Sequence, residues 1–240
     1  MRLSLMLRHL SIWLMIAVVC AALVVLASGA ALWVWPLALL GVPLQMLNEY
    51  ALHRYIFHMK PPEAQWAFDW LYRVHYGHHD FPTNMNLLFA PLSVIVPVLL
   101  GGTLAIWGAL ALLQIPQAFY IAVAIVPLGG ALTFLSYEWF HTTAHVQVKK
   151  TAIERRVTRL HNEHHFRDFS KWFHVTAGGE VIDRAMGTAI DRDTLKSQGR
   201  IAFIRTLGLQ PDDPRLIAAR AKYGARFGIP ATEIARAARA

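Results

Sequence analysis

Two stretches of this chain are too long and too apolar to be buried in a water-soluble core. Leu10 to Leu52 carries one charged residue, Glu49, and Asn86 to Phe140 also carries one, Glu138. A helix crosses a hydrocarbon core of about 30 Å with about 20 apolar residues, so each stretch has room for two crossings. Backbone groups facing lipid must be satisfied within their own helix. Each stretch therefore reads as a helical hairpin, with turns near Ser28-Gly29 and near Gln114-Ile115-Pro116-Gln117. The expected architecture is an all-α membrane protein with four transmembrane helices in two hairpins. The 240 residues are 55% hydrophobic and only 16% charged, which agrees with that expectation.

The charges orient the hairpins. Arg2 and Arg8 precede the first apolar stretch, no Lys or Arg follows until Arg54, and none lies between Arg73 and Lys149. Lys and Arg are retained on the cytoplasmic side, so both termini and the segments between and after the hairpins are expected there. The net charge of +8 suits anionic headgroups. A nucleic-acid binder would gather such charge on a soluble fold, and no nucleic-acid partner is expected. The N-terminus imitates a secretory signal, but the run from Leu10 to Leu26 is long for a signal core and a return span follows at once. Cys20 is the one cysteine and lies inside the first span, so cysteine supplies no disulfide and no thiolate ligand set.

The chain also repeats itself weakly. Each half is an apolar hairpin, then a histidine pair, then a short polar stretch, then the pattern HxxHH. The first half has His53 and His58 followed by His75, His78 and His79; the second has His141 and His145 followed by His161, His164 and His165. Pair and triplet are 17 residues apart in the first half and 16 in the second. Helical residues three or four apart share a face, so the first histidine of each triplet is presented with both others, and the two adjacent ones diverge towards different ions. His141 and His145 share a face as well. His53 and His58, five apart, lie about 140° around an ideal helix and need a frayed or widened turn. Beyond the second triplet the chain has no span-length apolar run. Short helical patterns such as Pro214 to Tyr223, with Pro211 and Pro230 as breakers, predict a cytoplasmic helical cap.

Ten of the 12 histidines fall in these groups. A zinc site usually closes with four ligands and a six-coordinate ion takes at most six, so two ions are implied. Imidazole suits Fe, Zn, Cu and Ni alike, which leaves the metal open. Haem takes only two axial ligands per iron and would waste adjacent histidines. A transporter wants ionisable residues near the bilayer midplane, where none occur. Glu49 stands four residues before His53, Glu138 three before His141, and Glu163 inside the second triplet, positions from which a carboxylate can accept the second N–H of a ligating imidazole. For Glu163, and for Asp80 after the first triplet, plain solvation in a loop is the competing reading.

The pattern His53-x4-His58, His75-x2-His78-His79, His141-x3-His145, His161-x2-His164-His165 resembles the fatty acid hydroxylase and sterol desaturase superfamily, over about residues 45 to 190. Within it the chain is most similar to fatty acid 2-hydroxylases, through YEWFHTTAH from Tyr137, GHHDFPTNMNLLFAP from Gly77 and VTAGGEVIDRAMGT from Val175. The resemblance implies a histidine-ligated dimetal centre, di-iron when active with zinc as an alternative occupant, in which O2 and two electrons oxidise a C–H bond of a lipid. It carries the ten histidines over as metal ligands and Tyr137 and Glu138 as catalytic neighbours, with Asp183, Gly187 and Thr188 on fixed positions. Thr142, Asn84 and Leu87 depart from the 2-hydroxylase pattern, and His174 stands where glycine is common, as a further ligand or a substrate contact. The chain divides into a hydroxylase-like membrane domain, 1–190, and a basic helical tail, 191–240. It is expected to carry no fused cytochrome b5 domain and so to need a separate electron-transfer protein, to take its lipid from the bilayer, and to be a bacterial inner-membrane protein. Desaturation at the same site and a non-redox zinc protein are the other readings.

Overall fold

The computed structural model describes residues 1–190 and 203–239. All regular structure among them is helical. Part of the expected tail, 191–202 and 240, lies outside the described residues. Backbone contacts divide the chain into two compact units, Met1–Glu49 with Pro91–Trp139, and Tyr50–Ala90 with Phe140–Ala240.

The first unit holds the apolar helices. Among the described residues three helical stretches are long and apolar enough to cross a membrane: Leu10–Gly29, Met85–Leu112 and Ala118–His145, the last two running on from or into the second unit. A fourth was expected, and the return segment before Leu52 differs from that expectation. It is a 3-10 helix over Leu32–Leu40, an α-helix over Gly41–Ala51 and a π-helix over Leu52–Phe57. Pro36 lies inside the 3-10 stretch and Pro43 in the first turn of the α-helix, where each lacks the N–H that an unbroken α-helical ladder would use.

The turn expected near Gln114 to Gln117 is there, with Gln114 and Gln117 both at positive φ. The side-chain carbonyl of Gln117 accepts the backbone N–H of Ala31, 3.0 Å away, so the two chain reversals meet. Packing in this unit relies on close backbone approach. A Cβ on Gly129 would lie 1.9 Å from the carbonyl oxygen of Ala38, and one on Gly41 2.2 Å from that of Ile125. Helices that gain nothing from expelling water can still gain dispersion energy when small residues let their backbones touch.

The second unit is built on Phe68, Leu71, Tyr72 and Tyr76 packed with Leu209, Leu216, Ala219 and Tyr223 of the tail. Its best-formed helix is Ala152–Phe166. Thr151 and Glu154 cap its first turn reciprocally, and Val157, Leu160, His161, His164 and His165 form its buried face. In the tail, Asp213 caps the helix Pro214–Phe227, and Pro230 precedes the helix Ala231–Ala237. The proline breakers therefore act where the sequence places them.

Candidate metal centre

Each histidine is delivered by a local feature of its own helix. His53 lies in the π-helix Leu52–Phe57, and the N–H of His58 reaches back five residues to the carbonyl of His53, 3.2 Å away. This is the widened turn that a five-residue spacing requires. A second π-helix, Tyr72–Tyr76, carries His75 and runs into the short helix Gly77–Asp80 with His78 and His79. Single π-turns inside helices often mark functional positions. His141 and His145 end the helix Ala131–His145, one turn apart.

The ten side chains form two groups, His53, His58, His75, His79 and His164 in the first and His78, His141, His145, His161 and His165 in the second, with candidate ligand atoms of each group within 4.8 Å of one another. The groups abut, since the ring of His79 stacks on that of His165 at 4.0 Å. Each triplet is split in the same way. Its first and last histidines, four residues apart, stay with the pair from their own half, and the middle one crosses to the other group. The sequence predicted that adjacent histidines would diverge, and not which of them would cross.

The nitrogen distances are those of donors converging on a common point. Nε2 of His75 lies 3.0 Å from that of His53, 2.9 Å from that of His58 and 2.8 Å from that of His79. A ring nitrogen offers one proton or one lone pair, so hydrogen bonding cannot satisfy three such neighbours. Ligands at right angles, each about 2.1 Å from an ion, stand about 3.0 Å apart. In the second group Nε2 of His141 is 3.0 Å from that of His78, and Nε2 of His145 is 2.8 Å from that of His161. Nε2 of His164 and both ring nitrogens of His165 are buried without a hydrogen-bond partner among the described residues. Buried nitrogens without partners are costly unless something binds them, and these residues fit a pair of ions.

Burial holds the imidazoles neutral. His75, His78, His79, His161 and His165 are all pushed well below the usual histidine range, first by loss of solvent and then by neighbouring imidazoles. His164 is lowered to about 4 by burial, against a hydrogen bond to the Lys171 carbonyl that raises it. A neutral ring keeps the lone pair that a metal needs.

Two carbonyls choose which nitrogen points inward. Nδ1–H of His53 donates to the carbonyl of Phe173, and Nδ1–H of His164 donates to that of Lys171 at 2.6 Å. Both Nε2 atoms are left as acceptors for the site. Between those carbonyls stands Trp172, buried and at φ +51°, a left-handed conformation uncommon for a large side chain. Asp183 anchors the loop, accepting the N–H of Phe173 at 2.9 Å, the N–H of His174 at 3.1 Å and the hydroxyl of Thr188 at 2.8 Å. Burial alone would raise this carboxyl, but the bonds from His174, Phe173 and Thr188 hold it below its usual range.

The other candidates fall in different places. His174 belongs to neither group; its ring faces Asp183 at 3.0 Å and stacks on Tyr50 at 5.4 Å. Glu49 and Glu138 are buried, on the helices that lead to His53 and His141, and Tyr137 packs by its ring on Phe134. Asp80 neither sits in solvent nor faces an imidazole. Its carboxylate is 7% exposed and paired with Arg220, a partner 140 residues away that no local pattern could name. The carbonyls of Lys171 and Phe173 were missed as well, because a backbone acceptor leaves no trace in side-chain spacing.

Membrane-length helices together with this doubled set of converging imidazoles define a class, membrane proteins organised around a histidine-rich metal site. The family model described as fatty acid hydroxylase matches residues 38–188. The chain belongs to the fatty acid hydroxylase family. It is 30% identical to the dihydroceramide fatty acyl 2-hydroxylase FAH2 of Arabidopsis thaliana, over 74% of this chain and 70% of that protein. It is 27% identical to the ceramide very long chain fatty acid hydroxylase SCS7 of Saccharomyces cerevisiae, over 64% of this chain but only 38% of the yeast protein. A solved structure described as full-length scs7p, with only the hydroxylase domain visible, superposes with a TM-score of 0.62 at 28% identity, covering 74% of this chain and 64% of that one.

Proposed function

We propose that this protein hydroxylates a lipid acyl chain at a di-iron centre held by the ten histidines, using O2 and two electrons from a separate carrier. The reading rests on one observation, the convergence of five imidazoles on each of two adjoining points. Five donors exceed the four that close a tetrahedral zinc site and leave one position of a six-coordinate ion open, which favours iron with room for a reactant. When bound, the ions would activate O2, the oxidant: one oxygen atom enters a C–H bond as hydroxyl, and the other leaves as water with two electrons and two protons.

The chain's own residues orient and insulate. His53 and His164 present Nε2 because the carbonyls of Phe173 and Lys171 take their other N–H groups. Burial of the rings keeps bulk water from the reacting carbon. In this reading Glu138, three residues before His141 on the same helix, is the candidate acceptor of an imidazole N–H, and Tyr137 is the candidate proton carrier. Relatives named for fatty acyl and ceramide hydroxylation support a lipid substrate drawn from the bilayer.

The same proposal keeps four crossings. Nine residues of 3-10 helix and eleven of α-helix before Leu52 rise about 34 Å, enough for a core of about 30 Å. The hydrogen bond from Ala31 to Gln117 supports placing both turns on one side of the membrane. Both termini are then cytoplasmic, residues 1–190 form the membrane domain and 191–240 a basic tail, in a bacterial inner membrane. For the electron carrier, Lys150, Arg155, Arg159 and Arg167, against the one acid Glu163, line a shallow groove along the helix Ala152–Phe166. That helix also carries His161, His164 and His165, so an acidic carrier docked in the groove would lie about one helix diameter, roughly 10 Å, from the site.

The experiment is lipid profiling by mass spectrometry of cells with and without the protein, with His164→Ala as control, alongside iron analysis of purified protein. Acyl chains gaining one oxygen only with the unmodified protein, which carries two irons, is the expected result. Loss of two hydrogens in place of that gain would assign desaturation, and stoichiometric zinc without oxygen consumption under reducing conditions would remove the oxygenase reading.

A further inference from the structure

The tail beyond the family match is tied to the first triplet by a buried ion pair and a ring stack. Arg220, on the helix Pro214–Phe227, is 2% exposed. Its Nε donates to one oxygen of Asp80 at 2.7 Å and its Nη2 to the other at 2.9 Å, while Nη2 also reaches the carbonyl of Ala237 at 3.1 Å. The hydroxyl of Tyr72 donates to the same carboxylate at 2.7 Å. Asp80 directly follows His79. From the other side Phe203 stacks on the His79 ring at 4.4 Å and stands edge-on to His58 at 6.1 Å. His79 and His58 both belong to the first group.

A two-pronged guanidinium–carboxylate pair fixes orientation as well as distance. Removing one partner strands the other charge in a buried setting, so the backbone around it must shift. The two groups would not feel that shift equally. The first has His75 and His79 on the segment that Asp80 terminates. The second has only His78 there, and its other four members stand on the helices Ala118–His145 and Ala152–Phe166.

We propose that the C-terminal segment locks the first metal site selectively: Arg220 through Asp80, and Phe203 through its stack on His79, hold His75 and His79 in ligating register, so that occupancy of that ion depends on the tail and occupancy of the other does not. Arg220 and Phe203 are positioning residues that touch no ion. The proposal rests on the reading of the two groups as metal sites.

The test counts iron per chain and measures its affinity in the purified full-length protein, for the unmodified chain and for Arg220→Met, Arg220→Lys, Phe203→Leu and Lys222→Met. Lys222 stands on the same helix in a more exposed pair with Asp69 and serves as control. The expected result is two ions in the unmodified and Lys222→Met proteins. Arg220→Met should hold one ion firmly and the other 10- to 100-fold more weakly, as when the partner of a ligand is lost, and Arg220→Lys, which keeps charge without the fork, should fall between. Phe203→Leu leaves the ion pair intact and should weaken the same single ion, which preserves the test should Arg220→Met fail to fold. Two unweakened ions in both folded variants would overturn the lock, and so would equal weakening of both ions. An unmodified chain that binds no metal would instead overturn the parent reading, and the two failures are told apart on that sample.

Discussion

The N–H of His58 donates to the carbonyl of His53 across five residues, at 3.2 Å, and that one π-type bond brings two imidazoles of the first group to the same side of their helix. The equivalent pair of the second half, His141 and His145, needs no such device, because four residues already make about one α-helical turn. Two halves with different spacings thus reach the same arrangement by different backbone geometry.

His53→Ala removes one of five donors from the first group only. The bound metal is expected to fall from two ions per chain to about one, by elemental analysis, with helical content by circular dichroism unchanged. Retention of two ions at full affinity would show that His53 does not ligate.

Asp183→Asn keeps the shape of the loop and removes the charge that accepts two backbone N–H groups and a hydroxyl. Hydrogen bonds to a charged group contribute about 1.5–3 kcal/mol each. The expected loss is on the order of 2 kcal/mol in chemical denaturation, with weaker metal binding because the Phe173 carbonyl that orients His53 is released. Unchanged stability would contradict the anchoring role.

Gly129→Val places a side chain where even a Cβ lies 1.9 Å from the Ala38 carbonyl, so the two segments have to separate. Overpacking of this kind typically costs about 1–3 kcal/mol or more, read as a lower melting temperature in detergent. Gly101→Ala is the counterpart, since a Cβ there meets nothing within 4 Å, and it should hold or slightly raise stability. Equal effects of the two substitutions would argue against the close approach.

Acidification should destabilise the metal-free protein. His164 titrates near 4 in the folded state, and His75, His79, His161 and His165 are lowered too, against an ordinary value of 6.5. Below 6.5 the unfolded chain therefore binds more protons than the folded one, and stability falls as pH drops from about 6.5 towards 4. The melting temperature of the metal-free protein should be lower at pH 5.5 than at pH 7.5. Equal values would mean that these rings are not buried neutral.

Much of the fold is local and was readable along the chain. The apolar runs, the turn at Gln114 to Gln117, the Pro211 and Pro230 breaks and the widened turn at His53 each depend on a few consecutive residues. The return segment before Leu52 is less legible, because an apolar composition does not say how a segment divides among 3-10, α and π geometry.

Sequence alone determined that ten imidazoles would be offered in two similar sets, because helical period fixes the direction of each side chain relative to its neighbours. Only tertiary structure decided that His78 and His164 would exchange groups, that the carbonyls of Phe173 and Lys171 would take the Nδ1–H groups of His53 and His164, and that Arg220 would hold Asp80. The reason is one of range. Periodicity acts over a turn or two, whereas the partner a side chain meets depends on how segments far apart in the chain pack.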